Sequence, residues 1–425
     1  MNKFCVFLTM ILTSSMVFLG QASDDVLGIF GNANMDNMLD DKDIDYVKGI
    51  IDGTNTATKL SDSNLDGKIN ENDLDHIDQI IAGDEKELTF VDSYGKNVTV
   101  HLPIERIAIT WRGQIEMLRI LGIDGDRIIG VDGHVQQNKL LFPEYQDKPS
   151  LGTVWQPDTE KILSLDPDVV FLIALSGSQG SSVVDDAAKQ IESAGIPVIR
   201  FWCGAANGYA TIDEEIKLLG YIFDKRDNSS DFIEWRNGIL NSIREKVESI
   251  PVEEKPAVYY ETGSTTKNYT ISFWEDYPYI SLAGGRNIFE NISSSSVDPE
   301  VVVQENPDII IKETQKGGYD SNAGEIDDLR NVQEGVLKRS ELLNTNAVKN
   351  NQVYVISQYI VPWGPASGCR GSFLQEVYLA KWFHPEIFED LDPQTIHQEY
   401  LTRFQGLDYD LESMGVFVYT PLEES

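Results

Sequence analysis

The spacing of apolar residues changes character twice along this chain. Between residues 32 and 83 a twelve-residue polar stretch is followed by apolar positions at helical spacing, and the whole unit then repeats. The first copy runs Asn32-Ala33-Asn34-Met35-Asp36-Asn37-Met38-Leu39-Asp40-Asp41-Lys42-Asp43 and recurs thirty positions on as Asp62-Ser63-Asn64-Leu65-Asp66-Gly67-Lys68-Ile69-Asn70-Glu71-Asn72-Asp73. Ile44, Val47, Ile50 and Ile51 follow the first stretch, Leu74, Ile77, Ile80 and Ile81 the second, and Gly53 and Gly83 close them. This pattern predicts a small all-α unit in which two loop-helix pieces bury their stripes together.

Beyond residue 88 the pattern becomes short β-branched runs separated by helical periodicity, which predicts parallel sheets. Strands are expected at 106–109, 128–131, 197–199, 257–260 and 352–356, with helices such as 114–121 and 213–223 between them. A second duplication runs through this part. Glu160 opens a short helical stretch that stops before Pro167-Asp168 and a buried-strand run, and Glu300, Pro307 and Asp308 repeat it at an offset of 140 throughout. Two copies imply two α/β lobes. From Asp231 to Ile250 there is no interior proline, and Phe232, Trp235, Ile239 and Ile243 recur at helical spacing, so a long helix should join the lobes and bend little.

The expected organisation is a signal peptide over 1–22, the small all-α module over 28–84, an N-terminal lobe over 88–227, a connecting helix over 228–251 and a C-terminal lobe over 252–425. The leader rests on Lys3, the apolar run from Phe4 to Leu19 and the small residues around Ala22, a run too short for a stable membrane span. An exported, extracytoplasmic protein is therefore expected. Cys5 lies inside the apolar run and cannot anchor a lipid. Cys203 and Cys369 can pair in such a compartment, or remain free and buried. The net charge of −35 disfavours nucleic acid and anionic lipid as partners and suits calcium, cationic ligands or solubility.

The sharpest local chemistry is in the repeated loops. Asp62, Asn64, Asp66, the Lys68 carbonyl, Asn70 through water, and Asp73 supply oxygens at the spacing a calcium ion needs, and Gly67 permits the sharp turn. The first loop offers Asn32, Asn34, Asp36, Asp40 and Asp43. It departs from the pattern at Asn32 and at Asn37, where asparagine in the left-handed conformation would let the loop close. Two calcium sites are expected, the second with the fuller ligand set. With aspartate at the twelfth position and loop before helix in tandem, the segment resembles a dockerin module, a tandem EF-hand-like unit. The resemblance implies calcium-dependent folding and a cohesin-like partner. Asp41-Lys42 and Glu71-Asn72 stand where the best-known dockerins carry a Ser-Thr recognition pair, which weakens the second implication.

From about Leu88 onward the chain resembles the cobalamin- and siderophore-binding class of ABC-importer receptors. The likeness rests on Ile109-Thr110-Trp111, Leu121-Gly122 with Arg127 to Asp132, Pro149 to Gly152, the duplicated glutamate motifs, Ala283-Gly284-Gly285-Arg286-Asn287, and Leu379 to Pro385. It implies two Rossmann-like lobes, no enzymatic activity, and capture of a metal chelate of the ferric siderophore, cobalamin or haem class for delivery to a permease dimer. Glu160 and Glu300 would dock onto the two permease subunits. Because ligands of open α/β sheets sit beyond the carboxyl ends of the strands, Trp111, Arg112, His134, Trp155, Arg200, Trp202, Tyr260, Trp274 and Trp363 are the candidate lining, with Tyr209 and Arg370 nearby. For each aromatic, core packing is the competing explanation.

No catalytic constellation stands out: the chain has no Gly-x-Ser-x-Gly, His-Glu-x-x-His or phosphate-cradling motif, and its five histidines lack metal-ligand spacing. The rival readings are a receptor for a bare ion or small oxyanion, a dockerin-bearing hydrolase, and an assembly component tethered through the module.

Overall fold

A computed structural model describes residues 26–174, 181–201, 210–263, 268–271, 279–290, 292, 295–322, 326–360 and 373–420. The chain opens with the two loop-helix units, whose helices are α1 (Asp41–Ile51) and α2 (Glu71–Ala82). Each starts with a reciprocal capping box. Asp40 or Asn70 accepts from the first turn, while Asp43 or Asp73 reaches back to the cap's own N–H. Val47, Ile77 and Ile80 of the expected stripes are buried.

A hairpin that the periodicity does not announce follows, β1 (Glu87–Val91) and β2 (Asn97–His101), paired antiparallel. The first lobe is then built from β3 (Ile107–Ile109), α3 (Arg112–Ile120), β4 (Ile128–Gly130), a small hairpin of β5 (Gly152–Thr153) and β6 (Gln156–Pro157), α4 (Thr159–Ser164), β7 (Val169–Ile173), α5 (Ser181–Ser193), β8 (Val198–Phe201) and α6 (Ala210–Ile222). Its sheet is parallel in the order β4-β3-β7-β8. Every residue of β7 and β8 is buried, as expected of strands covered by helices on both faces.

The connecting helix α7 (Arg226–Glu248) is 23 residues long, which at 1.5 Å per residue is about 35 Å. It starts five residues earlier than the apolar spacing suggests, because its first turn is polar. The second lobe contains β9 (Ala257–Glu261), α8 (Tyr279–Leu282), β10 (Arg286–Asn287), α9 (Pro299–Glu305), β11 (Ile309–Thr314), β12 (Gly318–Asn322), α10 (Ile326–Leu337), α11 (Asn346–Lys349), β13 (Val353–Ser357), α12 (Phe373–Phe383), α13 (Pro393–Glu399), β14 (Met414–Val416) and β15 (Val418–Tyr419). Its sheet runs β10-β9-β11-β13-β15. The first four strands are parallel and β15 is an antiparallel edge, while β12 and β14 form a separate antiparallel pair.

The duplication in the sequence is a duplication in geometry. Asp166 and Asn306, just before the two Pro-Asp pairs, both adopt left-handed backbone, at φ 49° and 47°. The aspartate after each proline pins the neighbouring strand: Asp168 accepts from the Glu105 and Arg106 N–H groups, and Asp308 from the Ala257 N–H.

The C-terminal helices return to the first half of the chain. Phe373, Tyr400 and Phe404 pack edge-on or tilted around Phe232 and Trp235 of α7, with ring centroids 4.7–6.5 Å apart. Tyr400 donates to the Glu116 carboxylate of α3 at 2.7 Å. One continuous apolar core accordingly runs through the loop-helix module, the first lobe, α7 and α12.

Candidate functional site

In open parallel sheets the residues beyond the carboxyl ends of the strands line the ligand crevice. After β3 come Thr110, Trp111 and Arg112. The Thr110 hydroxyl donates to the Phe171 carbonyl of β7, which fixes the turn into α3. Trp111 is 7% exposed and packs with Leu151 and Val154 in the first lobe, its ring lying over Gly113, so its placement favours packing. Arg112 is buried at the start of α3.

After β4 the chain turns through Asp132, Gly133 and His134. Asp132 is fully buried, and its Oδ1 accepts from both the His134 backbone N–H, at 2.7 Å, and ring Nδ1, at 2.8 Å. That bond orients the imidazole and leaves Nε2 as its outward nitrogen. Trp155 lies at the tip of the β5–β6 hairpin and is 48% exposed, the one candidate tryptophan among the described residues with a free face. The hairpin needs glycine at its base, since Gly152 has φ 85° and a Cβ there would lie 2.3 Å from the Gln156 carbonyl oxygen.

Arg200, near the end of β8, has its cation engaged inside the lobe. Its Nη1 donates to Asp185 at 2.6 Å and the guanidinium lies 4.1 Å from the Tyr94 ring centroid. Its place as a ligand contact is thereby displaced by a structural one. Trp202, Tyr209, Trp274, Trp363 and Arg370 lie outside the described residues, as do Cys203, Cys369 and the leader.

In the second lobe the strand ends carry two buried polar clusters that periodicity alone does not mark. Tyr260, expected as a crevice aromatic, is 4% exposed; its hydroxyl donates to Glu313 Oε2 at 3.1 Å and accepts from Gln375 Nε2 at 2.9 Å. Gln358 Nε2 donates to the other Glu313 oxygen at 2.6 Å. Burial pushes the Glu313 carboxyl above its ordinary range despite these bonds. Beside it Glu261, fully buried at the end of β9, is held by Lys312 at 2.9 Å and by both ends of Arg339. Burial alone would raise the Glu261 carboxyl, but the bonds and charges of Arg339 and Lys312 outweigh it and hold it low. The one sequence signal was charge ending an apolar strand run, in Tyr260-Glu261 and Ile311-Lys312-Glu313.

Glu160 and Glu300 are exposed in the first turns of α4 and α9. The caps of these helices are other residues: Asp158 accepts from the Lys161 N–H and Asp298 from the Glu300 N–H. The glutamates are thus not consumed by capping.

In the second polar loop Asp62 Oδ2 accepts from the Gly67 N–H, Asn64 from Asp66 N–H and Asp66 from Lys68 N–H, all within 3.0 Å. Asp73 is buried and accepts from Ser63 and Asn70 N–H groups. The Asp62 Oδ1 atom is buried with no hydrogen-bond partner among the described residues. The acidic side chains do not gather further: no three His, Cys, Asp or Glu groups converge as a metal-holding set among the described residues.

The first loop differs from expectation at Asn37, which is not left-handed. Left-handed backbone falls instead on the fourth position of both loops, Met35 at φ 59° and Leu65 at φ 58°. In the first loop the Asn32 amide nitrogen donates to the carbonyls of Leu27 at 2.7 Å and Asp36 at 2.6 Å.

Two open parallel sheets, duplicated in sequence and joined by one long helix, define a two-lobed binding-protein fold. The chain belongs to the periplasmic binding protein family, whose sequence pattern matches residues 107–360, over half its length. It is 25% identical to the high-affinity heme uptake system protein IsdE of Staphylococcus aureus over 53% of this chain and 71% of the relative. To the molybdate-binding protein MolA of Haemophilus influenzae it is 21% identical, over 63% and 76%. Among solved structures, the TroA-like periplasmic binding protein FepB from Veillonella parvula shares the fold at a TM-score of 0.63 and 22% identity, covering 78% of this chain and 99% of that one. The catecholate-siderophore binding protein VctP from Vibrio cholerae shares it at 0.53 and 16%, covering 69% and 99%. No helix among the described residues is long and apolar enough to cross a membrane.

Proposed function

We propose that this protein is the extracytoplasmic solute-binding component of an ABC importer, capturing a metal chelate of the siderophore, haem or cobalamin class between its lobes and delivering it to a permease dimer. The observation that carries the reading is the paired exposure of Glu160 and Glu300 at equivalent places in two pseudo-symmetric lobes, with capping assigned to Asp158 and Asp298. Two matched carboxylates suit a partner with twofold symmetry. Trp155 offers the flat apolar face that a chelate ring would use, and His134, oriented by buried Asp132, offers an imidazole nitrogen at the same rim. Native mass spectrometry of protein purified from its own source tests the reading: a retained metal chelate supports it, and a bare oxyanion or no ligand under saturating chelate overturns it.

A receptor for a small oxyanion is the second reading, supported by buried Arg112 at the start of α3 and by the likeness to a molybdate-binding protein. Chelate and molybdate compete in the same titration, so one experiment separates the two.

Calcium is the proposed cofactor of the dockerin-like loops. The donors of the second loop fit it: Asp62, Asn64, Asp66, the Lys68 carbonyl, Asn70 and Asp73 would hold the ion, which would satisfy the buried Asp62 oxygen and cross-link the loop to the start of α2. In the first loop the Asn32 amide nitrogen serves two carbonyls while its Oδ1 is buried without a hydrogen-bond partner among the described residues, as Asp62 Oδ1 is; this loop offers a neutral amide oxygen where the second offers a carboxylate.

A further inference from the structure

The loop-helix module does not hang from the receptor. The segment before its first loop pairs with the β1–β2 hairpin: Phe30 N–H donates to the Thr89 carbonyl at 2.9 Å, Val91 N–H to the Gly28 carbonyl at 2.7 Å, and Ile29 bridges Phe90. On its other side the module meets α6 and α7. The Tyr221 hydroxyl of α6 serves both peptide groups of Leu39, in the first loop, donating to the carbonyl at 3.1 Å and accepting from the N–H at 3.2 Å. Arg226, the first residue of α7, donates from Nη1 to the Ile81 carbonyl at 2.7 Å, satisfying a peptide oxygen in the last turn of α2, and its guanidinium lies over the Tyr221 ring. Leu39, Val47, Ile77 and Ile80 share one buried cluster with Leu218, Leu219, Ile222 and Phe223 of the first lobe.

A mobile tether presents a separate core; this module shares its core with the first lobe. We propose that it works in cis, as a brace that fixes the first lobe and the start of the lobe-connecting helix, with its docking partner being its own receptor. Both polar anchors fall at one place, where α6 turns into α7, so the brace acts on the root of the helix that sets the spacing of the lobes. The proposal stands apart from the calcium reading except in one respect. If a cation orders the second loop and the start of α2, it also orders the Ile81 end that Arg226 grips, and docking and calcium affinity are then linked reciprocally.

Calorimetry and calcium titration of the full chain test this, using Tyr221→Phe, Arg226→Ala and the pair. None of these substitutions touches a loop-two oxygen. Expected are one cooperative transition that includes the module, a lower Tm in each variant, and a calcium Kd raised about fivefold or more in the pair, within the usual range of coupling between sites. Two separated transitions in the unaltered protein, the module melting without the lobes, overturn the proposal whatever calcium does. A single transition lowered by both variants in a protein that takes up no calcium upholds the brace and removes only the calcium reading. Tyr221→Phe, which deletes one oxygen, guards against a variant that merely fails to fold.

Discussion

Arg339 grips Glu261 with both ends of its guanidinium, at 2.6 and 2.9 Å, across 78 residues of chain. The carboxylate is fully buried and the arginine nearly so, with Lys312 as a third member. Removing one partner of such a pair strands the other charge away from water. Arg339→Met should cost about 3 kcal/mol in urea denaturation, at the low end of the usual range because Lys312 remains. An unchanged midpoint would mean that Lys312 alone neutralises Glu261.

His397 gives a pH signature. Its ring is fully buried against Phe417, Tyr319 and Tyr378, neither nitrogen has a hydrogen-bond partner among the described residues, and burial lowers its pKa to about 3. In the unfolded chain the ordinary value near 6.5 returns. Between those values the unfolded state binds a proton that the folded state refuses, so stability falls as pH drops from about 6.5 toward about 3, by at most about 1.4 kcal/mol per pH unit. His397→Phe should flatten that slope, measured as urea midpoints at pH 7 and pH 5. An equally steep slope in the variant assigns the acid sensitivity elsewhere.

Trp111 and Trp155 should separate by kind of defect. Trp155→Ala should weaken chelate binding by about 1–3 kcal/mol with little change in Tm, as for a truncated aromatic contact. Trp111→Ala should instead cost about 3–5 kcal/mol of stability, because it empties a packed site. Tryptophan quenching by the chelate and thermal melting read the two effects. Equal affinity in Trp155→Ala removes that residue from the site.

The loops make opposite predictions. Asp66→Ala should abolish calcium binding by the second loop. Asn32→Asp should remove one of the two donors at each of the Leu27 and Asp36 carbonyls, which keep a backbone N–H partner, and place a charge where Asn32 is fully buried. It should therefore destabilise the protein in chelator by about 1–3 kcal/mol, with recovery in calcium as the new carboxylate gains a cation. Melting curves in chelator and calcium check both, and a calcium-independent loss in Asn32→Asp would show that the first loop cannot be converted.

Glu160→Ala and Glu300→Ala should each slow delivery in reconstituted vesicles, the double change more so, while the chelate Kd is unaltered. Rim charges steer and orient association without touching the ligand. Full uptake by the double variant would leave these exposed glutamates without a docking role.

The parallel strands and the long helix were legible because burial writes itself into spacing. Val169 to Ile173 and Ile309 to Ile311 are unbroken apolar runs, and Pro167-Asp168 and Pro307-Asp308 mark where each begins. The β1–β2 hairpin was not legible, since Leu88 to Val91 and Val98 to Val100 are too short to separate from loop. The site was read less well for a different reason. An aromatic or arginine at a strand end can turn toward ligand or toward its own lobe, and neighbours distant in sequence decide which. Asp185 and Tyr94 took Arg200, and Glu313 took Tyr260. Asn32 shows the same limit in the loops, where a substituted ligand position acquired two backbone acceptors that spacing could not foretell.

If the helix α7, buttressed by Phe373, Tyr400 and Phe404, bends as little as its length and packing suggest, it holds the two lobes as a caliper locked at one setting. A locked caliper presents the same outer profile loaded or empty. Any membrane partner that grips both lobes then meets filled and vacant copies as near-equal competitors, and throughput depends on the ratio of those two populations. In the proposed importer role, surplus vacant copies would act as a brake on uptake, and the amount of this protein made would itself control how much solute enters.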